Sequence, residues 1–431
     1  METNDKVILS PQKKLCGNVK VISSKSELHR LIFCSCLADA PCEITFSSTL
    51  SKDIEATISC FRALGAEIET KKHSIKIQRP ADLEGAGGNL ASDIEIFCNE
   101  SGSTARFILP LISLVCKNGA VLCGAGKLPE RPFSDLCDCL SAHGAVFSGD
   151  KMPIHIRKCI EKTENAVFEI SGNISSQYLS GLLFILPFCD GTKIRLTTPL
   201  ESAGYVDMTI DAMKKFGVTV TEKDGVYSSF GKYTSPKGVI NACGDWSNAA
   251  FFLCGANERP VTVSGMDDNS LQPDRAILDI LSGCGIIIKK ENDSVTVTRP
   301  EKLLPICFDA GENPDLVPIL CVFAATLCGE NKISNISRLR FKESDRVATV
   351  CEMIKDLGGE IYEKDDVIHI IGKGRLRGGR VDSCNDHRIA MSAAIAAGFC
   401  DEAVEITGAS AVSKSYPAFF EILKTLTEEN R

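Results

Sequence analysis

The densest chemistry in the sequence lies between Arg338 and Arg346, R-L-R-F-K-E-S-D-R, which puts four cations and two anions into nine residues. A bare charge run of this kind is most often a solvated helix face. Three features point elsewhere. The run follows an apolar, strand-like stretch (Lys332–Ile336), it opens a helix expected to end at Gly358–Gly359, and Lys342–Glu343–Ser344–Asp345–Arg346 mixes fixed cations with carboxylates. Cations hold anionic oxygens by charge-assisted hydrogen bonds, and a carboxylate among them can move a proton. Asp315, after Asn313–Pro314, is a second carboxylate of this sort. The bland alternative, that Asp315 and Glu343 only pair with a neighbouring Lys or Arg, stays open at this point.

Further cations recur along the chain at Lys25, Arg30, Arg106, Arg131, Arg388 and Lys414. Many stand near short polar stretches: Lys25–Ser26, Ser101–Gly102–Ser103–Thr104, Ser175–Ser176–Gln177, Asp245–Trp246–Ser247–Asn248, Asn313–Pro314–Asp315 and Asn385–Asp386–His387–Arg388. Each such stretch precedes an unusually apolar run: Leu28–Ala38, Phe107–Cys116, Tyr178–Pro187, Ala249–Ala256, Leu316–Leu327 and Ile389–Phe399. A helix apolar nearly all round has no face for water, so these are expected to be six buried helices. Their free N–H groups and positive dipole ends would form anion sites, with simple N-capping as the alternative. All eight cations, Lys342 and Arg346 included, are expected at or within one turn of helix N-termini. An acidic chain that concentrates cations at equivalent points of a repeat points to one pocket for a multiply anionic ligand. Arg106 is the member that pairing within the structure would explain equally well.

The elements that must position these residues are periodic. Markers at Arg30, Arg106, Gln177, Ser247, Asp315 and Arg388 are 76, 71, 70, 68 and 73 residues apart. Between them, an apolar helix end, a glycine and a strand recur at Gly65, Gly144, Gly217, Gly285 and Gly358, where a left-handed C-cap is expected. Short alternating strands follow at Ser74–Gln78, Ile154–Arg157, Val295–Thr298 and Val367–Ile371. Six units of about seventy residues, each mixing helices and strands, predict α/β layering, three units to a domain, with helices inside and sheets outside. The midpoint falls near Asn241–Asp245, and an N-terminal strand, Lys6–Leu15, is assigned to the second half. Gly85, Gly87 and Gly88 and the stretch Gly372–Gly379 read as loop glycines, and no phosphate-binding glycine motif opens a helix.

Composition narrows the classes. The chain has 431 residues, enough for two or three domains, with 44% apolar and 24% charged residues. A net charge of −8 argues against a general nucleic-acid binder. The 21 cysteines include no C-x-x-C, and the six histidines have no paired spacing, so no metal site is expected. They read as small core residues in a reducing compartment; Cys116 and Cys123 carry no signal of reactivity. No apolar run reaches a bilayer span, and Met1–Ser10 has no leader-like pattern, so a cytoplasmic location is expected.

Eight motifs in order are similar to those of the EPSP synthase (3-phosphoshikimate 1-carboxyvinyltransferase) family: Lys25–Ser26 with Arg30, E-S-G-S-T-A-R (Glu100–Arg106), P-E-R-P (Pro129–Pro132), S-S-Q-Y (Ser175–Tyr178), Pro314–Asp315, K-E-S-D-R (Lys342–Arg346), N-D-H-R (Asn385–Arg388) and K-S-Y-P (Lys414–Pro417). The resemblance implies a two-domain inside-out α/β barrel of six βαβαββ-type repeats. It implies a discontinuous domain, 1–23 with 243–431, and a continuous one, 24–242, with the active site in the cleft between them. The implied reaction moves the enolpyruvyl group of phosphoenolpyruvate to the 5-hydroxyl of shikimate 3-phosphate, by addition and elimination through a tetrahedral intermediate. No metal or organic cofactor, nucleic acid or membrane is implied, and a monomer is expected. Carried over by position, Lys25, Gly102, Arg131, Gln177, Arg346, Arg388 and Lys414 resemble the phosphoenolpyruvate ligands. Lys25, Ser26, Arg30, Ser175, Ser176, Gln177, Ser202, Asp315 and Lys342 resemble those of shikimate 3-phosphate. Asp315, Glu343 and Lys25 resemble the catalytic groups. Glu100, Ser101 and Arg338 depart from the common pattern, which leaves their contacts open.

Two other readings compete. The sister enzymes that use UDP-N-acetylglucosamine as acceptor share the repeat, but typically have Lys-Asn where this chain has Lys25–Ser26, and a loop cysteine near the position of Arg131. A non-catalytic repeat scaffold would not need this set of cations and carboxylates.

Overall fold

A computed structural model describes residues 5–11, 14–80, 93–161 and 163–428. Gly85, Gly87 and Gly88 lie outside the described residues. The chain divides into two compact units, Lys25–Ala242 and Met1–Ser24 with Cys243–Arg431. The fold is mixed α/β. It opens with two strands of the second unit, β1 (Lys6–Leu9) and β2 (Gly17–Lys20). The sequence reading expected one strand over Lys6–Leu15. The observed strand ends at Leu9, ahead of Pro11, which has no N–H to donate to a ladder; β2 begins only at Gly17, beyond that range, and pairs in a different sheet.

The chain then builds the unit Lys25–Ala242. Its first stretch is α1 (Lys25–Leu37), β3 (Cys42–Thr45), α2 (Lys52–Ala63), β4 (Glu67–Thr70) and β5 (Ser74–Gln78). The second is β6 (Ile94–Phe97), α3 (Gly102–Val115), β7 (Ala120–Cys123), α4 (Ser134–Ser141), β8 (Val146–Phe147) and β9 (Ile154–Lys158). The third is β10 (Val167–Ile170), α5 (Ser176–Ile185), β11 (Lys193–Leu196), α6 (Ala203–Lys215), β12 (Thr219–Lys223) and β13 (Val226–Phe230), closed by β14 (Ile240–Asn241). The sheets are β14-β3-β5-β4, β6-β7-β9-β8 and β10-β11-β13-β12. In each, the first two strands are parallel and the other pairs antiparallel. The parallel pair β6/β7 is joined through α3, and β10/β11 through α5. Phe33 of α1, Phe107 of α3 and Phe184 of α5 meet in the core, with ring centroids 5.1–5.5 Å apart. Such aromatic contacts hold the three helices together in the core.

The other unit continues with α7 (Trp246–Cys254), β15 (Val261–Ser264), α8 (Ile277–Gly283), β16 (Ile287–Glu291) and β17 (Ser294–Thr298). Next come β18 (Cys307–Asp309), α9 (Val317–Ala325), β19 (Cys328–Ser334), α10 (Arg346–Asp356), β20 (Glu360–Lys364) and β21 (Val367–Lys373). It ends with β22 (Gly379–Asp382), α11 (His387–Ala396), β23 (Val404–Thr407) and α12 (Phe419–Glu428). Two of its sheets, β2-β15-β17-β16 and β18-β19-β21-β20, repeat the same order. The third has three strands, β1-β23-β22, because β1 stands where the others have a hairpin. All nine residues of α9 and all ten of α11 are buried. Where the chain passes out of this unit and back, Ser24 N–H donates to Cys243 O (2.7 Å) and Ser23 bridges Gly244.

Gly65, Gly144, Gly217, Gly285 and Gly358 all have φ between +81° and +102°, the left-handed conformation that a residue with a Cβ adopts at a cost. Gly372 and Gly379 are not loop glycines: they lie in β21 and at the start of β22. A Cβ on Gly372 would overlap the carbonyl oxygen of Leu327, so glycine here serves close backbone approach.

Candidate functional site

The candidate residues form two clusters, one in each unit. In the unit that contains α7 to α12, Arg346 is the centre. It is the first residue of α10, whose N-terminus Asp345 caps through Ala348 N–H. Its side chain is 1% exposed and its three nitrogens each find a carboxylate: Nε to Asp386 Oδ2 (2.9 Å), Nη1 to Asp315 Oδ1 (2.8 Å) and Nη2 to Glu343 Oε2 (2.6 Å). The planar fork of an arginine, with five N–H donors in fixed directions, meets these three carboxylates at once. Asp315 leads into α9 from a short 3₁₀ turn, Pro314–Leu316. Its other oxygen accepts from Arg388 Nη2 (2.6 Å), its backbone carbonyl accepts from Arg388 Nη1 (3.0 Å), and Lys342 Nζ stands 3.9 Å from Oδ1. Asp386 caps α11 by accepting from Arg388 N–H (2.9 Å), and Ser344 donates to it (3.1 Å). Lys414 Nζ reaches Asn385 O (2.6 Å).

Electrostatics follows from this crowding. Burial alone would push the Asp315 carboxyl up, but Arg388, Lys342 and Arg346 together hold it well below the usual carboxylate range. Burial disfavours the charged Arg346, yet Asp386, Glu343 and Asp315 fix it as a cation. The cluster therefore holds an ionised carboxylate, and Glu343 3 residues before Arg346 on the same chain, among cations that an incoming anion would share.

In the unit Lys25–Ala242 the cations come from α1, α3 and the connection after β7. Lys25, the first residue of α1, pairs with Asp53 of α2 (2.8 Å). Arg30 is buried one turn further on. It donates to Ser26 O (2.7 Å), Tyr205 O (2.7 Å) and Thr209 Oγ1 (2.8 Å), and lies over the Phe107 ring at 5.2 Å. Burial brings its pKa down to about 10, so it remains charged at neutral pH. Ser101 caps α3 and Ser175 caps α5. Gln177 joins the two helices, accepting from Arg106 Nη1 (2.8 Å) and donating to Ser103 Oγ (2.8 Å). Arg106 also lies over the Phe133 and Tyr178 rings, so the pairing alternative describes it. Ser176 is the first residue of α5, and Ser202 enters α6 with a left-handed backbone, φ 56°.

Gly102 explains how Arg131 reaches the start of α3. A methyl at position 102 would stand 2.5 Å from Arg131 Nη1 and 3.0 Å from Arg106 Nη1. Two guanidinium groups thus converge on the positive end of one helix, an arrangement that favours an anion.

Not every cation sits where the repeat placed it. Lys25 and Arg388 lie in the first turns of buried helices and Arg30 and Arg106 in the second, but Arg131 follows the 3₁₀ turn Leu128–Glu130, and Lys414 ends another, Ala409–Lys414. Both are brought in by connections, which helix periodicity does not register. The sequence reading also left out Asp386 and Asp53, the carboxylates that fix Arg346 and Lys25. The capping position of Asp386 before an apolar helix was the available signal; nothing in the spacing identified Asp53. Of the open positions, Arg338 donates to Gly311 O (2.6 Å), and the Glu100 side chain lies against Gly126. Burial pushes the Cys116 thiol up to about 12 and raises that of Cys123, so neither is activated.

Comparison with known proteins agrees with these features. The sequence model of the family described as EPSP synthase (3-phosphoshikimate 1-carboxyvinyltransferase) matches residues 9–423. The 3-phosphoshikimate 1-carboxyvinyltransferase of Clostridium acetobutylicum is 41% identical over 425 residues, covering 96% of this chain and 95% of that protein. Its namesake from Clostridium kluyveri is 38% identical over 423 residues, 96% of each. The solved EPSP synthase of Acinetobacter baumannii superposes with a TM-score of 0.79 at 25% identity over 98% of both chains. The enolpyruvyl transferase NikO of Streptomyces tendae, at 17% identity and a TM-score of 0.74 over 98% of both chains, shares the fold. The chain belongs to the EPSP synthase (3-phosphoshikimate 1-carboxyvinyltransferase) family.

Proposed function

We propose that this protein transfers the enolpyruvyl group of phosphoenolpyruvate to the 5-hydroxyl of shikimate 3-phosphate and releases phosphate, in aromatic amino-acid biosynthesis. The observation that carries the reading is the arrangement around Arg346, where Asp315 and Glu343 share one guanidinium beside Arg388 and Lys342. Lys25, Gly102, Arg131, Gln177, Arg346, Arg388 and Lys414 bind phosphoenolpyruvate. Lys25, Ser26, Arg30, Ser175, Ser176, Gln177, Ser202, Asp315 and Lys342 bind shikimate 3-phosphate. Each unit contributes three repeats of a six-repeat inside-out α/β barrel.

Asp315, held ionised, takes the proton of the 5-hydroxyl as that oxygen attacks C2. A phosphate or carboxylate that shares Arg388, Arg346 and Lys342 weakens their hold on Asp315 and makes it a stronger base. Glu343, with Lys25, delivers a proton to the methylene carbon and later removes one as phosphate leaves. The same fixed cations stabilise the charge that moves to the departing phosphate. No step calls for a metal or organic cofactor. The protein acts as a cytoplasmic monomer.

Phosphate release from phosphoenolpyruvate, measured with shikimate 3-phosphate or with UDP-N-acetylglucosamine as acceptor, tests the reading. Release is expected with shikimate 3-phosphate alone. Release with the UDP-sugar, or none with shikimate 3-phosphate, would overturn it.

A further inference from the structure

We propose that His29 is a positioning residue of the phosphoenolpyruvate group: with its proton on Nδ1 it heads a one-way chain of hydrogen bonds, through Thr57 and Thr104 to Ser101, that fixes Lys25 of α1 relative to the start of α3 beside Gly102. The inference rests on the reading of Lys25 and Gly102 as phosphoenolpyruvate ligands. His29 is 1% exposed, and its Nε2 is buried and finds no hydrogen-bond partner among the described residues. Its Nδ1 lies 2.8 Å from Thr57 Oγ1. Thr57 Oγ1 lies 2.7 Å from Thr104 Oγ1, and Thr104 donates to Oγ of Ser101 (2.7 Å), the cap of α3. All four residues are buried. The chain also braces Lys25. Lys25 of α1 pairs with Asp53 of α2 (2.8 Å), and one turn further along both helices His29 meets Thr57. The Asp53 carbonyl closes the frame, 3.4 Å from Thr57 Oγ1 and 3.5 Å from Thr104 Oγ1.

Counting protons gives the chain its direction. Each hydroxyl has one to give. Thr104 gives its own to Ser101, which also accepts Thr104 N–H (3.3 Å). Thr57 is therefore the donor in its contact with Thr104, and the imidazole is the donor in its contact with Thr57. The longer contacts to Asp53 O take at most a share. The proton thus sits on Nδ1, and Nε2 is a bare acceptor. Turned round, the chain would place it on Nε2, where the buried N–H has no acceptor, and orphaned buried N–H groups are rare. A doubly protonated ring would carry the same orphan. Burial, then Lys25 and Arg30, hold the ring well below its usual pKa, so it is neutral. Arg30, the next residue, is held separately, by Thr209 Oγ1 and Tyr205 O. Losing the His29 donor therefore loosens Lys25 and the start of α3 while leaving Arg30 in place for shikimate 3-phosphate.

Steady-state kinetics of two pairs of variants tests the proposal. His29→Leu removes the donor, and should raise the KM for phosphoenolpyruvate ~10-fold, the effect of one hydrogen bond, while that for shikimate 3-phosphate stays within ~2-fold. His29→Asn returns an N–H near the Nδ1 position and should recover most of the loss. Thr57→Val and Thr57→Ser form the second pair, and decide if His29→Leu does not fold: valine breaks the chain at similar volume and serine keeps it. Equal rises in both KM values, or no difference within a pair, would overturn the proposal. The position of the proton is read on the wild type without turnover, by NMR with 15N-labelled histidine, the His29 signals being those lost in His29→Asn. Nδ1 protonated and Nε2 bare is expected at neutral pH; a proton on Nε2 would overturn the proposal whatever the kinetics. A wild type that forms no product from phosphoenolpyruvate and shikimate 3-phosphate would instead overturn the functional reading, and the positioning role with it, so the two failures are distinct.

Discussion

Replacing Arg346 by Gln removes the guanidinium that three carboxylates share, and its cost can be worked from their surroundings. Asp386 is fully buried, and keeps only the Ser344 hydroxyl and the backbone N–H of Arg388. Asp315 keeps Arg388 and Lys342. Glu343 is 21% exposed and can turn to water. The loss is therefore dominated by one uncompensated buried carboxylate, worth ~3–5 kcal/mol. Its pH dependence has a fixed sign. Arg346 helps to depress Asp315, and a depressed carboxyl contributes stability that is present above its unfolded pKa and lost as pH falls through the folded value. Because the folded value lies far below the unfolded one, the gap between wild type and variant should be nearly as large at pH 4 as at pH 7.5 and close only in stronger acid. Trp246 is the only tryptophan of the chain and is fully buried in the same unit as Arg346. Its fluorescence during urea unfolding thus follows that unit. The midpoint should fall by ~1–2 M urea at pH 7.5. A change of only a few tenths at pH 7.5 would refute this account of the cluster.

Other perturbations separate the roles. Glu343→Gln and Asp315→Asn should each lower turnover by ~100-fold or more, while Glu343→Gln leaves shikimate 3-phosphate affinity nearly unchanged; near-wild-type turnover in Glu343→Gln would remove it from the mechanism. Arg388→Ala and Lys414→Ala should raise the KM for phosphoenolpyruvate far more than that for shikimate 3-phosphate, each losing a charge-assisted contact of ~1.5–3 kcal/mol; an equal rise in both would contradict the division of ligands. Gly102→Ala must displace the Arg131 tip, so steady-state kinetics should show a raised KM for phosphoenolpyruvate with little change for shikimate 3-phosphate. Asp274→Asn should stabilise the ligand-free protein at pH 8 but not at pH 4. A raised carboxyl contributes stability below its unfolded pKa and loses it as pH rises through about 6. Urea unfolding at the two pH values, followed by Trp246, would show it.

The helices were legible because α3, α9 and α11 have no polar face for water, and their ends because the glycines needed positive φ. The carboxylates and cations of the candidate site were legible as types near helix starts. Their partners were not. Asp386 lies 40 residues from Arg346 in sequence, and periodicity names a position without saying which of several nearby carboxylates it meets. Arg131 and Lys414 escaped the repeat logic because 3₁₀ turns deliver them. The N-terminal strand is shorter than expected because Pro11 has no N–H for a ladder, so the pairing with β23 stops at Leu9.

The central claim is an addition and elimination in which the enol carbon gains and loses a proton within this cluster. Running the reaction in D2O with phosphoenolpyruvate and shikimate 3-phosphate tests it. The transient methyl group holds two original hydrogens and one from solvent, so elimination should leave deuterium in the methylene of the enolpyruvyl product, with one phosphate released per product. Glu343→Gln should slow both together. A product formed at full rate with no deuterium in its methylene, or phosphate released without any acceptor, would contradict the account.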